Sequence, residues 1–297
     1  MTEPRIDRFI RDQGWLDSFG SLIQTVVGGA YGALGTPGRF LKDLAHGTKP
    51  LGHPLHPAMT DIPLGAWTVA VAADLIHYAV PSLPTAVGDV ALGFGLVGAL
   101  GSAITGYTDH HETFGHERRV ATLHGLVMTV VVVIMLVSLG VRWKGGADMH
   151  GLAVGLAAAG LLIGLFGAYL GGHLTFAIGT MVNRNAFAEG PAEFIEVGAA
   201  SAVPEGALKL MQAGPMPVLV TRVEGELYAI ANTCSHAGGP LDEGTLDGDV
   251  VTCPWHGSRF CVRDGRVEGG PATFPQPQLA VRERDGKLEV KLAQPLQ

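Results

Sequence analysis

The chain has 297 residues, room for about two domains, with 47% hydrophobic and only 16% charged residues and a mean hydropathy of +0.29. Charge this sparse points to segments that lie in a bilayer. The net charge of −7, most of it arising after Pro191, excludes the basic face that nucleic-acid binding needs, and three cysteines are too few for a disulfide framework.

Residues 1–14 are polar, with Arg5, Arg8 and Arg11, and carry no secretory signal pattern. Residues 15–46 mix apolar and small side chains and are broken by Gly28, Gly29 and Pro37. They read as an amphipathic helix lying at a membrane interface or packed on a membrane domain, too short and glycine-broken for a span. Residues 1–50 therefore form an N-terminal interfacial segment. The run His-Pro-Leu-His-Pro at 53–57 begins the next stretch extended, and a helix is expected to start after Pro63. Four apolar runs follow, at about 62–80, 83–107, 120–141 and 151–172, each long enough for a hydrocarbon core of ~30 Å at ~1.5 Å per residue. Short polar links make neighbouring helices antiparallel. The fourth run carries Gly151/Gly155, Gly160/Gly164 and Gly167/Gly171, a spacing that lets helix backbones approach closely in lipid. Residues 51–182 are thus expected to be a four-helix transmembrane domain and 183–191 a polar linker. Lys42, Lys49, Arg118, Arg119 and Arg184 flank one side of the spans, Arg142 and Lys144 the other. The positive-inside rule then places both termini in the cytoplasm, on an inner membrane.

The same side is rich in histidine. His53 and His56 precede the first span, His110 and His111 follow the second, His116 and His124 open the third, and His173 ends the fourth, with Asp61 and Asp109 in the same layer. An ionisable group at the edge of a span is costly and is a functional candidate by default. His56, His124 and His173 lie closest to the apolar runs. They are candidates for holding haem b, a metal or a quinone, since facing imidazoles are how helical bundles bind haem. The alternative is a set of interfacial polar groups that fix helix packing.

Beyond residue 191 the pattern changes to short alternating strands, at 194–197, 217–223, 227–231, 249–253, 259–262, 279–284 and 288–292. Glu224-Gly225, Asp247-Gly248, Asp264-Gly265 and Asp285-Gly286 supply the turns. Residues 192–297 are expected to be a compact all-β barrel or sandwich. The fold class is therefore multi-domain: an all-α four-helix transmembrane bundle followed by an all-β domain.

Within the β part stand Cys-Ser-His-Ala-Gly-Gly-Pro-Leu from Cys234 and Cys-Pro-Trp-His-Gly-Ser-Arg-Phe from Cys253. The four candidate ligands are Cys234, His236, Cys253 and His256. Two thiolates on one iron and two imidazoles on the other form the ligand set of a Rieske [2Fe–2S] centre. A tetrahedral zinc site is the alternative, although zinc fingers place both cysteines before both histidines. The two motifs closely resemble the Rieske family over residues 192–292, and Gly269-Gly270-Pro271-Ala272 resembles its proline loop. The His-Pro-Leu-His-Pro start with four apolar helices resembles a family of bacterial membrane domains without a settled function.

The Rieske resemblance carries further implications. Respiratory Rieske proteins add a disulfide between the two cluster loops, but Gly239 and Trp255 occupy the matching positions here, which suits a reducing compartment. Ser258 matches a serine that hydrogen-bonds to the cluster, while Phe260 replaces a tyrosine donor. One donor of two implies a ferredoxin-like or intermediate potential. Cys261 reads as a small buried apolar residue. No soluble stretch remains for the 2-His-1-carboxylate iron of an oxygenase, so a complete Rieske oxygenase is not expected. Asp242, Glu243, Asp247 and Asp249 lie between the ligand motifs and are expected to steer a basic reductase or carrier. The resulting reading is a component of an oxidoreductase system, passing one electron between a soluble partner and a membrane haem, quinone or partner protein. The alternative is a redox- or metal-sensing or transport membrane protein whose cluster is structural or reporting.

Overall fold

A computed structural model describes residues 5–293; the outermost parts of the first and last assigned stretches, residues 1–4 and 294–297, lie outside the described residues. The described chain falls into two compact units. One runs up to Leu41 and resumes over Leu55–Thr180; the other joins Lys42–Pro54 to the residues from Met181 onward. The boundary drawn from sequence at 50/51 therefore differs from the structural one, because Lys42–Pro54 packs with the β part.

The first unit is helical. α1 (Arg5–Arg11) and α2 (Trp15–Ala33) precede α4 (Leu55–Ala79), α5 (Ala86–His110), α6 (Gly115–Gly145) and α7 (His150–His173), with α3 (Gly35–His46) between α2 and α4. Four helices are long and apolar enough to cross a membrane: α4, α5, α6, and α7 with its π-helical extension to Ile178. Their outward side chains, such as Val90, Val97 and Leu162, are more than two-thirds exposed, as lipid contact requires.

Pro63 does not start the first span, as the sequence suggested, but lies inside it. Pro57 falls in the first turn, where a missing N–H costs nothing. Pro63 deprives the Met59 carbonyl, four residues earlier, of its helical partner, and the Ser102 hydroxyl on α5 lies 2.9 Å from that oxygen and donates to it. Small residues then let α4 and α5 close on one another. A Cβ at Gly95 would come within 2.4 Å of Trp67 Nε1, and one at Gly98 within 2.5 Å of Ile62. Between α6 and α7 the same device recurs: Gly160 receives Met135 and Ile134, and Gly167 receives Met128.

α2 is a helix packed on the bundle. The Gln24 amide donates to the carbonyls of His110, His111 and Thr113 at 2.7–3.2 Å, which takes up acceptors at the frayed end of α5. Asp17 pairs with Arg118 and Arg119. Its carboxyl is held below the usual range, first by the Arg119 hydrogen bond, against the cost of burial.

At the opposite end of the spans Arg142 on α6 makes an ion pair with Asp74 on α4 and a second, at 2.9 Å, with Asp89 on α5. The Arg142 and Asp74 side chains are 1% and 0% exposed. Gly88 makes the approach possible, because a Cβ there would lie 2.2 Å from Asp74 Oδ1. Arg142, which the sequence placed near the end of the spans, is therefore a buried link between three of them.

The second unit holds two antiparallel sheets. The larger has the order β1 (Ile195–Ala199), β10 (Lys287–Leu292), β9 (Gln278–Arg284), β4 (Glu226–Ala231), β3 (Met216–Val223), β2 (Lys209–Ala213). The smaller runs β5 (Thr245–Asp247), β6 (Val250–Thr252), β7 (Arg259–Cys261), β8 (Val267–Gly269). β3 is buried on both faces: Val218 and Val220 enter one core with Leu288 and Val290, Leu219 the other with Ile230, Leu241, Val251 and Phe260. The hairpin turns use left-handed backbone at Glu224-Gly225 and Asp285-Gly286. The second core also contains Cys234 and Cys253, so the smaller sheet presents the site from a packed apolar base.

Candidate metal centre

Two loops carry the four candidate ligands. The first follows β4 and precedes β5; the second joins β6 to β7. Each closes with the same two backbone bonds. In the first, Cys234 N–H donates to the Gly239 carbonyl at 2.9 Å and Gly238 N–H to the Cys234 carbonyl at 2.8 Å. In the second, Cys253 N–H donates to the Ser258 carbonyl at 2.8 Å and Gly257 N–H to the Cys253 carbonyl at 3.1 Å. Gly238 and Gly257 adopt φ of 87° and 71°, a backbone that a side chain resists. The Gly-Gly and His-Gly pairs of the motifs are thus turn chemistry as well as family signature.

The ligands separate into two pairs. Cys234 and Cys253 are buried, 1% and 3% exposed, and belong to the same apolar core. His236 and His256 are half-buried, with ring centroids 4.9 Å apart and planes at 84°. Among the described residues no group of three or more His, Cys, Asp or Glu side chains is gathered for a single ion. A buried thiol pair beside a more exposed imidazole pair fits a binuclear centre better than one tetrahedral zinc.

The sulfurs are prepared for negative charge. Backbone N–H groups of His236 and Ala237 point at the Cys234 sulfur, and those of Trp255 and His256 at the Cys253 sulfur. The neighbouring Cys234 thiol pulls Cys253 down, while Cys253 and burial push Cys234 up, so the two sulfurs are strongly coupled. Gly239 leaves the space the sulfurs need, since a Cβ there would lie 2.8 Å from Cys253 Sγ.

Ser258 is fully buried, and its Oγ accepts the Ala272 N–H at 3.2 Å, leaving its own hydrogen to donate. Phe260 is buried in the core and offers no hydroxyl. The loop from Gly269 to Ala272 lies tight against the second ligand loop: a Cβ at Gly270 would meet the Gly257 carbonyl at 2.5 Å. No motif marks what holds that loop from the other side. Asp43 accepts the Gly270 N–H at 3.1 Å, Thr48 Oγ1 donates to the Gly270 carbonyl at 2.7 Å, and Lys49 reaches Glu268. Residues 42–54 thus act as a strap over the third loop of the site. Cys261 is fully buried and stays apart from the pair; burial raises its thiol.

The acidic residues between the loops are not equivalent. Asp242 exchanges two hydrogen bonds with Asn232, and Asp249 is ion-paired with Arg263 at 2.8 Å. Glu243 and Asp247 are exposed. The membrane histidines also divide. His56 and His124 face one another, ring centroids 6.3 Å apart. His173, which the sequence grouped with them, is instead bound through Nε2 to Asp7 at 2.7 Å, and His116 reaches the same carboxylate at 2.9 Å. Burial disfavours that carboxylate, yet the two histidine hydrogen bonds hold Asp7 below the ordinary range.

Two matched loops offering two sulfurs and two imidazoles define an iron–sulfur protein of the Rieske class. Comparison with known proteins agrees: residues 193–281 match the Rieske [2Fe-2S] domain family, and residues 52–184 match a family of predicted membrane proteins, DUF2231. The chain is 43% identical to the ferredoxin component of biphenyl 2,3-dioxygenase from Rhodococcus jostii over 26% of its own length and 72% of that protein. It is 38% identical to ferredoxin CarAc of Metapseudomonas resinovorans over 33% of its length and 92% of the relative. It is 36% identical to the cytochrome b6-f complex iron-sulfur subunit of Chlorobaculum tepidum, where it covers 54% of that protein. The chain belongs to the Rieske [2Fe–2S] family, its cofactor is a [2Fe–2S] cluster, and its DUF2231 part with four apolar helices fits a multi-pass membrane protein.

Proposed function

We propose that the protein carries single electrons between a soluble partner and an acceptor in the membrane. Cys234 and Cys253 hold the buried iron of the cluster, and His236 and His256 the outer iron. The observation that carries this reading is the polarity of the site. Negative sulfurs sit on the apolar base and imidazoles stand at the surface, where a partner can reach them. The cluster supplies a one-electron couple; the chain's own residues tune and orient it. Backbone N–H groups aimed at the sulfurs favour the reduced, more negative state. The positive-inside rule favours a cytoplasmic Rieske domain, with Lys42, Lys49, Arg118, Arg119 and Arg184 on that side against Arg142 and Lys144.

Ser258 adds one further donor to the cluster's hydrogen bonds. Ser258→Ala is expected to lower the midpoint potential by about 40 mV, the one-electron equivalent of a differential of about 1 kcal/mol. Redox titration of the cluster absorption measures it, and an unchanged potential removes Ser258 from that role.

Glu243 and Asp247 form the exposed part of the docking surface, while Asp242 and Asp249 are engaged within the domain. Full-length protein in vesicles should accept one electron per chain from NADH through a soluble ferredoxin reductase, and pass it to a quinone analogue or a haem. Neutralising Glu243 and Asp247 together should slow the reduction on the order of tenfold at low salt and flatten its salt dependence. Equal rates at low salt remove the docking assignment. A cluster that dithionite reduces but no carrier reduces or oxidises contradicts electron transfer and favours a sensing or structural cluster.

A further inference from the structure

The membrane unit contains a second constellation. α4 and α5 form one helical hairpin, α6 and α7 another. His56 stands in the first turn of α4, its Nδ1 3.0 Å from the Ser102 carbonyl on α5. Gly106, four residues beyond Ser102, lies against the ring, and a Cβ there would come within 2.6 Å of His56 Cε1. His124 stands near the start of α6, its Nδ1 2.8 Å from the Gly167 carbonyl on α7. Gly171, four residues beyond Gly167, lies against that ring, and its Cβ would be 3.3 Å from His124 Cε1. Each hairpin thus repeats one device: an imidazole on the first helix, a carbonyl on the second, and a glycine one turn further. The two rings meet across the seam between the hairpins, centroids 6.3 Å apart and planes at 79°.

A carbonyl only accepts, so Nδ1 carries the hydrogen in both residues. Thr105 Oγ1, 3.3 Å from His56 Nδ1, already donates to a carbonyl of its own helix at 3.0–3.1 Å and can only accept as well. Nε2 is therefore the lone-pair nitrogen in each ring, and among the described residues no group hydrogen-bonds to it. Each ring thus keeps a nitrogen lone pair that no described group engages, in a layer where a polar group is a functional candidate.

The spacing selects what binds. Two metal–nitrogen bonds of about 2 Å and the half-widths of two rings place imidazole centroids about 6 Å apart. A quinol bridging them by two hydrogen bonds of about 2.8 Å would spread the centroids beyond about 10 Å. Among the described residues no third His, Cys, Asp or Glu completes a metal-binding group with them, so a bare ion would lack ligands. An iron porphyrin brings four nitrogens of its own and asks for two axial imidazoles, oriented by Nδ1–H bonds to backbone carbonyls. Met59 and Met128 fill the space beside Gly101 and Gly167, and unbranched thioethers can yield to a planar ring without moving backbone. We propose that His56 and His124 are the axial ligands of a b-type haem held in the seam between the two hairpins. This stands on the membrane unit alone, whatever the cluster does.

The test is a pyridine haemochrome assay and absorption spectrum on full-length protein, purified in detergent from cells supplied with a haem precursor. About one haem per chain is expected, with a six-coordinate, low-spin spectrum. His56→Ala and His124→Ala should each lower haem content at least about tenfold, while His173→Ala, whose ring is bound to Asp7, retains it. His124→Met should keep haem and change the spectrum, which separates ligation from misfolding; an unaltered [2Fe–2S] EPR signal in every variant provides a second check. Three results overturn the assignment: no haem together with no saturable one-to-one hemin binding, haem retained in both alanine variants, or copper or another ion bound at the pair without porphyrin.

Discussion

Cys253→Ser is expected to abolish the cluster, with iron and acid-labile sulfide falling to background while the helical far-UV signal of the membrane unit persists. A serine hydroxyl is not an anion near neutral pH and is a hard oxygen donor where iron–sulfur chemistry asks for thiolate. The loss does not stop at one bond. Cys253 belongs to the apolar core with Leu219, Ile230 and Phe260, and its backbone closes the second ligand loop. Because ligand binding and loop order are linked, losing the cluster should also lower the melting temperature of the Rieske unit. His256→Ala should remove the cluster too, but with less cost to the core, since that ring is half-buried and edges Trp255 and His236. A Cys253→Ser protein that kept full iron and its visible spectrum would exclude Cys253 as a ligand.

Arg142→Ala is expected to destabilise the membrane unit by about 3–5 kcal/mol, because it strands the Asp74 carboxylate at 0% exposure without its partner. Asp74→Ala should cost less, because Asp89 still pairs with the guanidinium, and removing Asp89, a third exposed with water within reach, should cost least. Removing both charges together, with Arg142→Met and Asp74→Leu, should recover much of the loss, since an apolar pair of similar volume often replaces a buried ion pair without penalty. Unfolding of purified protein in mixed micelles, followed by helicity, measures these changes. An Arg142→Ala protein within about 0.5 kcal/mol of the parent would show that the ion pair is not structural.

The sequence and the structure differ in informative places. The ligand loops were legible because each is a continuous motif whose spacing is the chemistry: Cys-x-His and Cys-x-x-His, with glycines where the backbone turns left-handed. The four spans were legible because length and hydropathy set them, yet Pro63 misplaced the start of the first. The compensating Ser102 hydroxyl lies 39 residues away in the chain, on another helix. The strands missed, β2, β5 and β8, sit at sheet edges, and two of them have only three residues, too few for an alternating pattern. Charges misled for the same reason in two places. Arg142 was read as a base near a span end and Asp249 as a steering residue, and their ion pairs with Asp74 and Arg263 could not be read from the sequence. His173 was grouped with His56 and His124 by its depth in a span. Rotation about the helix axis, which depth does not report, turns it instead to Asp7. The strap at residues 42–54 has no motif because its contacts are mostly generic: a carboxylate, a hydroxyl and a backbone glycine.

The most direct measurement is pulsed EPR of the full-length protein, purified from membranes and reduced by one electron, with nitrogen hyperfine coupling recorded alongside iron and zinc analysis. The assignment of Cys234, Cys253, His236 and His256 predicts two irons per chain in the cluster, a paramagnetic reduced state, and strong coupling to two histidine nitrogens that disappears in His256→Ala. Zinc in place of iron with no paramagnetic signal after dithionite, or a cluster signal without nitrogen coupling, would contradict it.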